Sequence, residues 1–253
     1  MSKELEVAIK AAKEAGKILK DNFQEINTVT FKEGGSMVTE VDKLSERRII
    51  SRIKEAFPKH SINAEESGLD KKASEYIWLI DPLDGTTNYA THVPFFAVSI
   101  ALVRGNEIQL GAVYDPIHED LYTAEVRRGA TLNDEPIRVS ETQDLKMAKV
   151  GYARPFKVKA EFIDVFSKVE AATRTPKILG SMTLHNCYVG IGNSDAAICL
   201  YPNPWDVAAA VLIVKEAGGK VTDFSGNDWS VTSKNTLASN GKIHDELLAV
   251  LNN

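Results

Sequence analysis

Leu5, Ile9, Ala12, Gly16, Leu19, Phe23 and Ile26 recur at alternating steps of four and three. That spacing puts one apolar stripe on a helix and predicts an amphipathic helix over 3–26. The polar run Lys32-Glu33-Gly34-Gly35-Ser36 predicts a mobile loop. Thr39-Glu40-Val41-Asp42 opens a second helix with Leu44, Ile49, Ile50 and Ile53 inward, closed before Pro58. Short strands are expected at 60–64 and 76–80. Antiparallel strands are expected at 95–103, 107–114 and 119–125, with Arg104-Gly105-Asn106 as a hairpin turn.

From about residue 146 the pattern alternates. Strand-like runs at Met147–Tyr152, Lys177–Leu179, Ala196–Leu200, Lys220–Thr222 and Thr236–Ser239 are separated by helical ones at 158–170, 182–191, 205–217 and 241–251. This is α/β organisation following an α+β half. The polar stretch 134–145 suits a junction, giving halves 1–140 and 141–253, although a shared layered core remains open. There are no internal repeats.

Composition narrows the class. In 253 residues, 43% are hydrophobic and 26% charged, ordinary for a globular protein. A net charge of −5 argues against a nucleic acid polymer or an anionic membrane as partner. It also means that a phosphate ester needs cations to receive it. Cys187 and Cys199 are the only cysteines, which favours buried free thiols in a reducing compartment over a disulfide. The charged start Met1-Ser2-Lys3-Glu4-Leu5-Glu6 has no apolar signal core, and no run is long enough to span a membrane. A cytoplasmic location is expected.

The candidate chemistry centres on Asp81-Pro82-Leu83-Asp84-Gly85-Thr86-Thr87-Asn88-Tyr89, directly behind the apolar run 76–80. Mg²⁺ takes oxygen ligands in octahedral geometry, and Asp81, Asp84 and the Leu83 carbonyl offer three at short range. A bridging aspartate would allow two ions about 3.5–4 Å apart, as in two-metal phosphoryl transfer. Gly85 lets the backbone approach a ligand, and the amides of Gly85, Thr86 and Thr87 form an anion nest. A plain turn after a strand remains an equal reading, because Asp, Gly and Thr are common turn residues.

Other motifs are ambiguous when taken singly. Asn63-Ala64-Glu65-Glu66-Ser67-Gly68 reads as an acidic turn or a ligand pair. Asn203-Pro204-Trp205-Asp206 reads as a helix cap or a ligand, and Thr39 with Asp42 as a variant capping box. An EF-hand is excluded by spacing, since counting from Asp81 puts glycine at position 5 and His92 at position 12. The five histidines show no metal spacing and lie near no Ser or Cys nucleophile motif. Lys32 either approaches a phosphate or is a solvated loop lysine.

Four segments together resemble the inositol monophosphatase family, within the Mg²⁺-dependent, lithium-sensitive phosphatases that include fructose-1,6-bisphosphatase. They are Val38-Thr39-Glu40-Val41-Asp42, Ala64-Glu65-Glu66-Ser67, Trp78 through Asn88, and Pro204-Trp205-Asp206-Val207-Ala208-Ala209 through Glu216-Ala217-Gly218-Gly219. The resemblance implies an αβαβα layered sandwich and a homodimer. It implies one Mg²⁺ on Glu65, Asp81 and the Leu83 carbonyl, and a second on Asp81, Asp84 and Asp206. A third, weaker ion on Glu65 is also implied, with Mn²⁺ as a substitute. It further implies direct attack of a metal-activated water on phosphorus, with Thr86 and Asp42 orienting and deprotonating that water. Glu66 then supports the ligands, and the Gly85 and Thr86 amides hold phosphate oxygens.

Gly180-Ser181-Met182 resembles the turn that meets the substrate's hydroxyls. Where inositol phosphatases carry an acid seven positions before the Trp-Asp aspartate, this chain has Cys199. A thiol is a poor acceptor, so a charged hydrogen bond of about 1.5–3 kcal/mol to a polyol is lost. That loss weighs against myo-inositol 1-phosphate itself, while the resemblance implies a small phosphorylated polyol or sugar of that kind. Fructose-1,6-bisphosphate, histidinol phosphate and a nucleotide phosphate (NADP or adenosine 3′,5′-bisphosphate) stay open. So does a non-enzymatic metal- or phosphate-binding regulator.

Overall fold

The computed structural model describes residues 1–25, 29–31, 37–153 and 159–253. The first half runs α1 (Lys3–Asn22), β1 (Val29–Phe31), β2 (Met37–Thr39), α2 (Glu40–Ala56), β3 (Ser61–Ala64), β4 (Gly68–Asp70), β5 (Tyr76–Asp84) and α3 (Thr86–Ala90). It continues with β6 (Ala97–Arg104), β7 (Glu107–Asp115), β8 (Asp120–Glu125), β9 (Ala130–Leu132) and β10 (Glu135–Pro136). The second half runs β11 (Lys149–Ala153), α4 (Ala160–Ala172), β12 (Thr175–Lys177), α5 (Met182–Gly190), β13 (Ala196–Leu200), α6 (Pro204–Glu216), β14 (Lys220–Thr222), β15 (Asn235–Ser239) and α7 (His244–Asn252).

Two large sheets organise the chain. An eight-stranded sheet has the order β10-β9-β8-β7-β6-β5-β3-β4, and a five-stranded sheet the order β12-β11-β13-β15-β14. Their strands lie on either side of residue 140. Strand alternation shows what covers each face. On β5, Trp78 and Ile80 join a core with α1 and α2, while Leu79 faces α5 and α6. On β13, Ala197 and Cys199 face α5 and α6, while Ala196, Ile198 and Leu200 face α4 and α7. The result is the five-layer αβαβα sandwich, with α5 and α6 as the filling shared by both sheets. Both sheets are buried on two faces, which is why β5, β6 and β13 read as continuous apolar runs.

The helix predicted over 3–26 ends at Asn22 with Phe23 at its cap, and Ile26 lies outside the described residues. Lys32 and the Gly34-Gly35 pair also lie outside them. The strand expected at 76–80 continues through Asp84, with a register shift between Asp81 and Asp84. Pro82 cannot donate to a ladder, and a bulge accommodates it. The strand expected at 177–179 forms earlier, at Thr175–Lys177, on the edge of its sheet, where Pro176 is tolerated. The β1–β2 pair and the short strands β4, β9 and β10 were not foreseen, being only two or three residues long.

Helix α6 packs against β7 at a closest point that requires glycine. A Cβ on Gly111 would stand 2.5 Å from the Ala209 carbonyl oxygen and 2.8 Å from its Cα. Backbone cannot give way there as a flexible side chain would. Gly111→Ala is expected to cost about 1–3 kcal/mol of stability, read as a lower urea midpoint. An unchanged midpoint would mean that the two layers slide apart freely.

Candidate active site

The acidic motif sits where β5 runs out against three helices. Asp81 is 2% exposed and accepts from the Leu83 amide through Oδ1 at 2.9 Å. Gly85 then turns the chain with φ 94°, a left-handed conformation, and a Cβ there would lie 3.0 Å from the Phe95 carbonyl oxygen. Helix α3 follows at once. Its buried Tyr89 donates to the Leu19 carbonyl at 2.9 Å and packs on Phe23 and Phe96, with centroids at 5.4 and 4.9 Å. The turn is thereby fastened to the core on its far side.

Helix α2 meets this turn from one flank. Thr39 and Asp42 form a capping box: the Thr39 amide donates to Asp42 Oδ2 at 2.8 Å, and the Thr39 hydroxyl donates to the same oxygen. The other oxygen, Oδ1, lies 3.5 Å from the Thr86 hydroxyl, which is itself 3.1 Å from the Leu83 carbonyl. Asp42 thus caps its helix and faces Thr86 at the same time. Also on α2, Ser45 donates to the Pro82 carbonyl at 2.9 Å. Glu46 accepts from the amides of Glu66 and Ser67 at 2.7 and 2.9 Å.

Helices α5 and α6 close the other flank. Asp84 accepts from the Ser181 hydroxyl and from the Met182 and Thr183 amides at 3.2 and 2.8 Å, the free donors at the start of α5. Asp206, at the third position of α6, accepts the Asn203 amide through Oδ2 at 2.7 Å. The Thr183 hydroxyl donates to the Asp206 carbonyl at 2.7 Å and joins the two helix starts.

Glu65, Asp81, Asp84 and Asp206 lie near enough to act on one another's charge. Asp81 is pushed well above the usual carboxylate range by burial, then by the charges of Glu65, Asp84 and Asp206. Burial raises Asp206 to about 8, with Glu65 as the next cause, against the opposing Asn203 hydrogen bonds. Asp84 rises to about 6 because desolvation outweighs its bonds to Ser181, Thr183 and Met182. Asp42 also rises to about 6, through burial opposed by Thr39. A cation would relieve the mutual repulsion of these carboxylates. Among the described residues no three His, Cys, Asp or Glu side chains converge to ligand spacing as they stand. Asp84 is turned to the start of α5, and one oxygen of Asp206 to its own helix cap.

The sequence-predicted residues therefore divide. Glu65, Asp81, Asp84 and Asp206 come within electrostatic reach of each other, and Thr86 and Asp42 stand beside them. Glu66 offers its amide to Glu46. Gly180 is exposed next to Asn88, whose amide donates to the Phe95 and Leu179 carbonyls, both at 2.7 Å. Ser181, expected to meet substrate, donates to Asp84 and accepts the Leu184 amide at 3.1 Å. Cys199, the other expected substrate contact, is enclosed. It is 0% exposed and faces the α5–α6 layer, where the Asn186 amide donates to its sulfur at 3.8 Å. Burial pushes both thiols up, and both are free. Ser45, Glu46, Thr183 and Asn88 were missed. The spacing of Asp42, Ser45 and Glu46 at i, i+3 and i+4 on one helix face was the available signal.

The family profile described as "Inositol monophosphatase family" matches residues 1–253. The chain belongs to that family. A curated relative from Thermotoga maritima, named fructose-1,6-bisphosphatase/inositol-1-monophosphatase, is 40% identical over 250 residues, covering 98% of this chain and 95% of the relative. A Vibrio cholerae relative named Nus factor SuhB is 41% identical over 242 residues, covering 93% and 90%. The solved structure of an IMPase from Thermotoga maritima superposes with a TM-score of 0.92 at 38% identity, covering 99% of this chain and 97% of that one. Among the described residues, no helix is long and apolar enough to cross a membrane.

Proposed function

We propose that the chain is a Mg²⁺-dependent phosphomonoesterase acting on a small phosphorylated polyol or sugar. The observation that carries this reading is the meeting of Glu65, Asp81, Asp84 and Asp206 beside the Thr86–Asp42 pair. After burial, what raises Asp81 is the negative charge of Glu65, Asp84 and Asp206. A phosphate dianion would be repelled from that cluster unless cations neutralise it first.

The donor set is all oxygen, which suits Mg²⁺ or Mn²⁺. Glu65, Asp81 and the Leu83 carbonyl would hold one ion. Asp81, Asp84 and Asp206 would hold a second, and Glu65 would contribute to a weaker third. Bound there, such ions would lower the pKa of water and neutralise charge developing at phosphorus and on the leaving oxygen.

The chain's own groups supply the rest. The Thr86 hydroxyl has one proton and two acceptors within reach, Leu83 O and Asp42 Oδ1. When the hydroxyl donates its hydrogen bond to Asp42, its lone pairs are free to accept from, and so aim, an attacking water. Asp42, raised to about 6, is matched to taking a proton near neutral pH. The Gly85 and Thr86 amides, at a helix start, would hold phosphate oxygens. Glu66 supports the turn that carries Glu65. Gly180 stands at the exposed rim where the alcohol portion would lie. Homodimerisation is expected from the family resemblance, and a cytoplasmic location from the cysteine-poor sequence.

The substrate class rests on the 40% identical relative named for both fructose-1,6-bisphosphate and inositol 1-phosphate. The relative named Nus factor SuhB favours a second reading, a regulator that binds metal or phosphate without turnover. The Thr86–Asp42 pair speaks for turnover, because a binder needs no water-orienting hydroxyl. Phosphate release should be screened over inositol phosphates, sugar phosphates, histidinol phosphate, NADP and adenosine 3′,5′-bisphosphate. Hydrolysis of a polyol or sugar phosphate that needs Mg²⁺ and falls with Li⁺ is expected. Mg²⁺ binding with no ester hydrolysed would favour the regulator.

A further inference from the structure

The geometry points to Glu46, seconded by Ser45, as a positioning residue that sets the two acidic loops in register for cation binding, an inference resting on the metal-dependent reading above. Asp42, Ser45 and Glu46 lie on one face of α2 and are 1%, 0% and 3% exposed. Each reaches a different part of the site. Asp42 faces Thr86, Ser45 holds the Pro82 carbonyl between Asp81 and Leu83, and Glu46 clasps two successive amides of the turn that carries Glu65.

The rest of α2 is itself fixed. Val41, Ile49 and Ile53 pack into the core with α1, and Arg52 pairs with Glu14 across the two helices. A rigid bar thus holds the β5–α3 turn, at Pro82 and Thr86, and the β3–β4 turn, at Glu66 and Ser67, which otherwise approach each other from separate elements. The turn at 65–67 most needs such a hold. It joins β3 to the three-residue edge strand β4, at the border of the sheet. The Glu65 amide is tied to Ile80 O at 3.1 Å, and the next two amides point to Glu46.

The identity of residue 46 is informative. Placing a buried acid beside an acidic cluster is unfavourable unless its oxygens are needed. Only a carboxylate of this length offers two acceptors to two adjacent amides. A glutamine keeps one acceptor and sets an N–H₂ against the other amide, leaving a buried donor without a partner.

Glu46→Gln and Ser45→Ala test this, with Mg²⁺ and Mn²⁺ affinity read directly by calorimetry alongside hydrolysis across Mg²⁺ concentrations. Support of a ligand by a neighbouring residue typically changes metal affinity by about 10–100-fold. Glu46→Gln is expected to weaken Mg²⁺ binding and raise the Mg²⁺ needed for half-maximal rate by that factor, with kcat restored to within a few-fold at saturating Mg²⁺. Ser45→Ala is expected to move both in the same direction by about five-fold, the worth of one neutral hydrogen bond. A merely structural role would lower the melting temperature and leave metal affinity at the wild-type value, and that result in a folded Glu46→Gln protein overturns the inference. If Glu46→Gln does not fold, Ser45→Ala decides, since wild-type Mg²⁺ affinity in that variant is equally fatal. Failure of the phosphatase reading itself would show separately, as wild-type protein that binds Mg²⁺ and hydrolyses none of the esters.

Discussion

Asp81→Asn is expected to lower kcat/KM by roughly a thousandfold or more, about 4 kcal/mol of lost transition-state stabilisation, while raising the melting temperature of the metal-free protein. The two effects have one cause. Asp81 is the most buried of the four clustered carboxylates, and Glu65, Asp84 and Asp206 all act to keep it protonated. Asparagine keeps the acceptor that the Leu83 amide uses at 2.9 Å, so the turn survives, and it removes a charge that only a cation can compensate. Activity assays and melting curves in EDTA check the pair of outcomes. An inactive variant that also melts well below wild type would mean that Asp81 holds the turn together and that the loss of activity is secondary.

The second large effect is a dependence of stability on pH that Mg²⁺ reverses. Asp42 and Asp84 rise to about 6, Asp206 to about 8, and Asp81 well above its ordinary value. Unfolded aspartates titrate near about 3.9. The folded state therefore holds protons that the unfolded state has released. Stability from these groups is complete below about pH 4 and is lost as pH rises through 6 and then 8. His185 and His244, pushed down to about 4 by burial, work the other way up to about 6.5, their unfolded value. Above that point the carboxylates act without this opposition. Metal-free protein is expected to lose stability between about pH 6.5 and pH 8.5. Mg²⁺ replaces the protons, so its stabilisation should grow over the same window, toward about 2.7 kcal/mol at a hundredfold excess over Kd. A Mg²⁺-induced shift in melting temperature that is constant with pH would contradict a shared cation site.

Much of this site was legible in the sequence, because its parts sit at element ends that announce themselves. The apolar run before Asp81, the Gly85 turn and the Asn203-Pro204 helix start each place one carboxylate, and the family resemblance supplied the grouping. Two ambiguities proved to be false alternatives. Asp42 both caps α2 and faces Thr86, and Asp206 both caps α6 and joins the acidic cluster, because a carboxylate has two oxygens to give. What sequence could not show was which neighbour takes a side chain's hydrogen bond. Ser181 looked like a substrate contact and is held by Asp84. The alternation of β13 places Cys199 in the core shared with α5 and α6. Ser45 and Glu46 carried no motif, since their meaning lies in backbone groups some 20 to 37 residues away.

The most direct test is phosphate release from a phosphorylated polyol or sugar by EDTA-dialysed protein as Mg²⁺ is restored. Wild type should rise from no detectable hydrolysis to full rate, and Asp81→Asn should stay inactive throughout. Hydrolysis by the dialysed wild type in EDTA at the rate seen with Mg²⁺ would contradict the assignment of the Glu65–Asp81–Asp84–Asp206 cluster as a catalytic metal site.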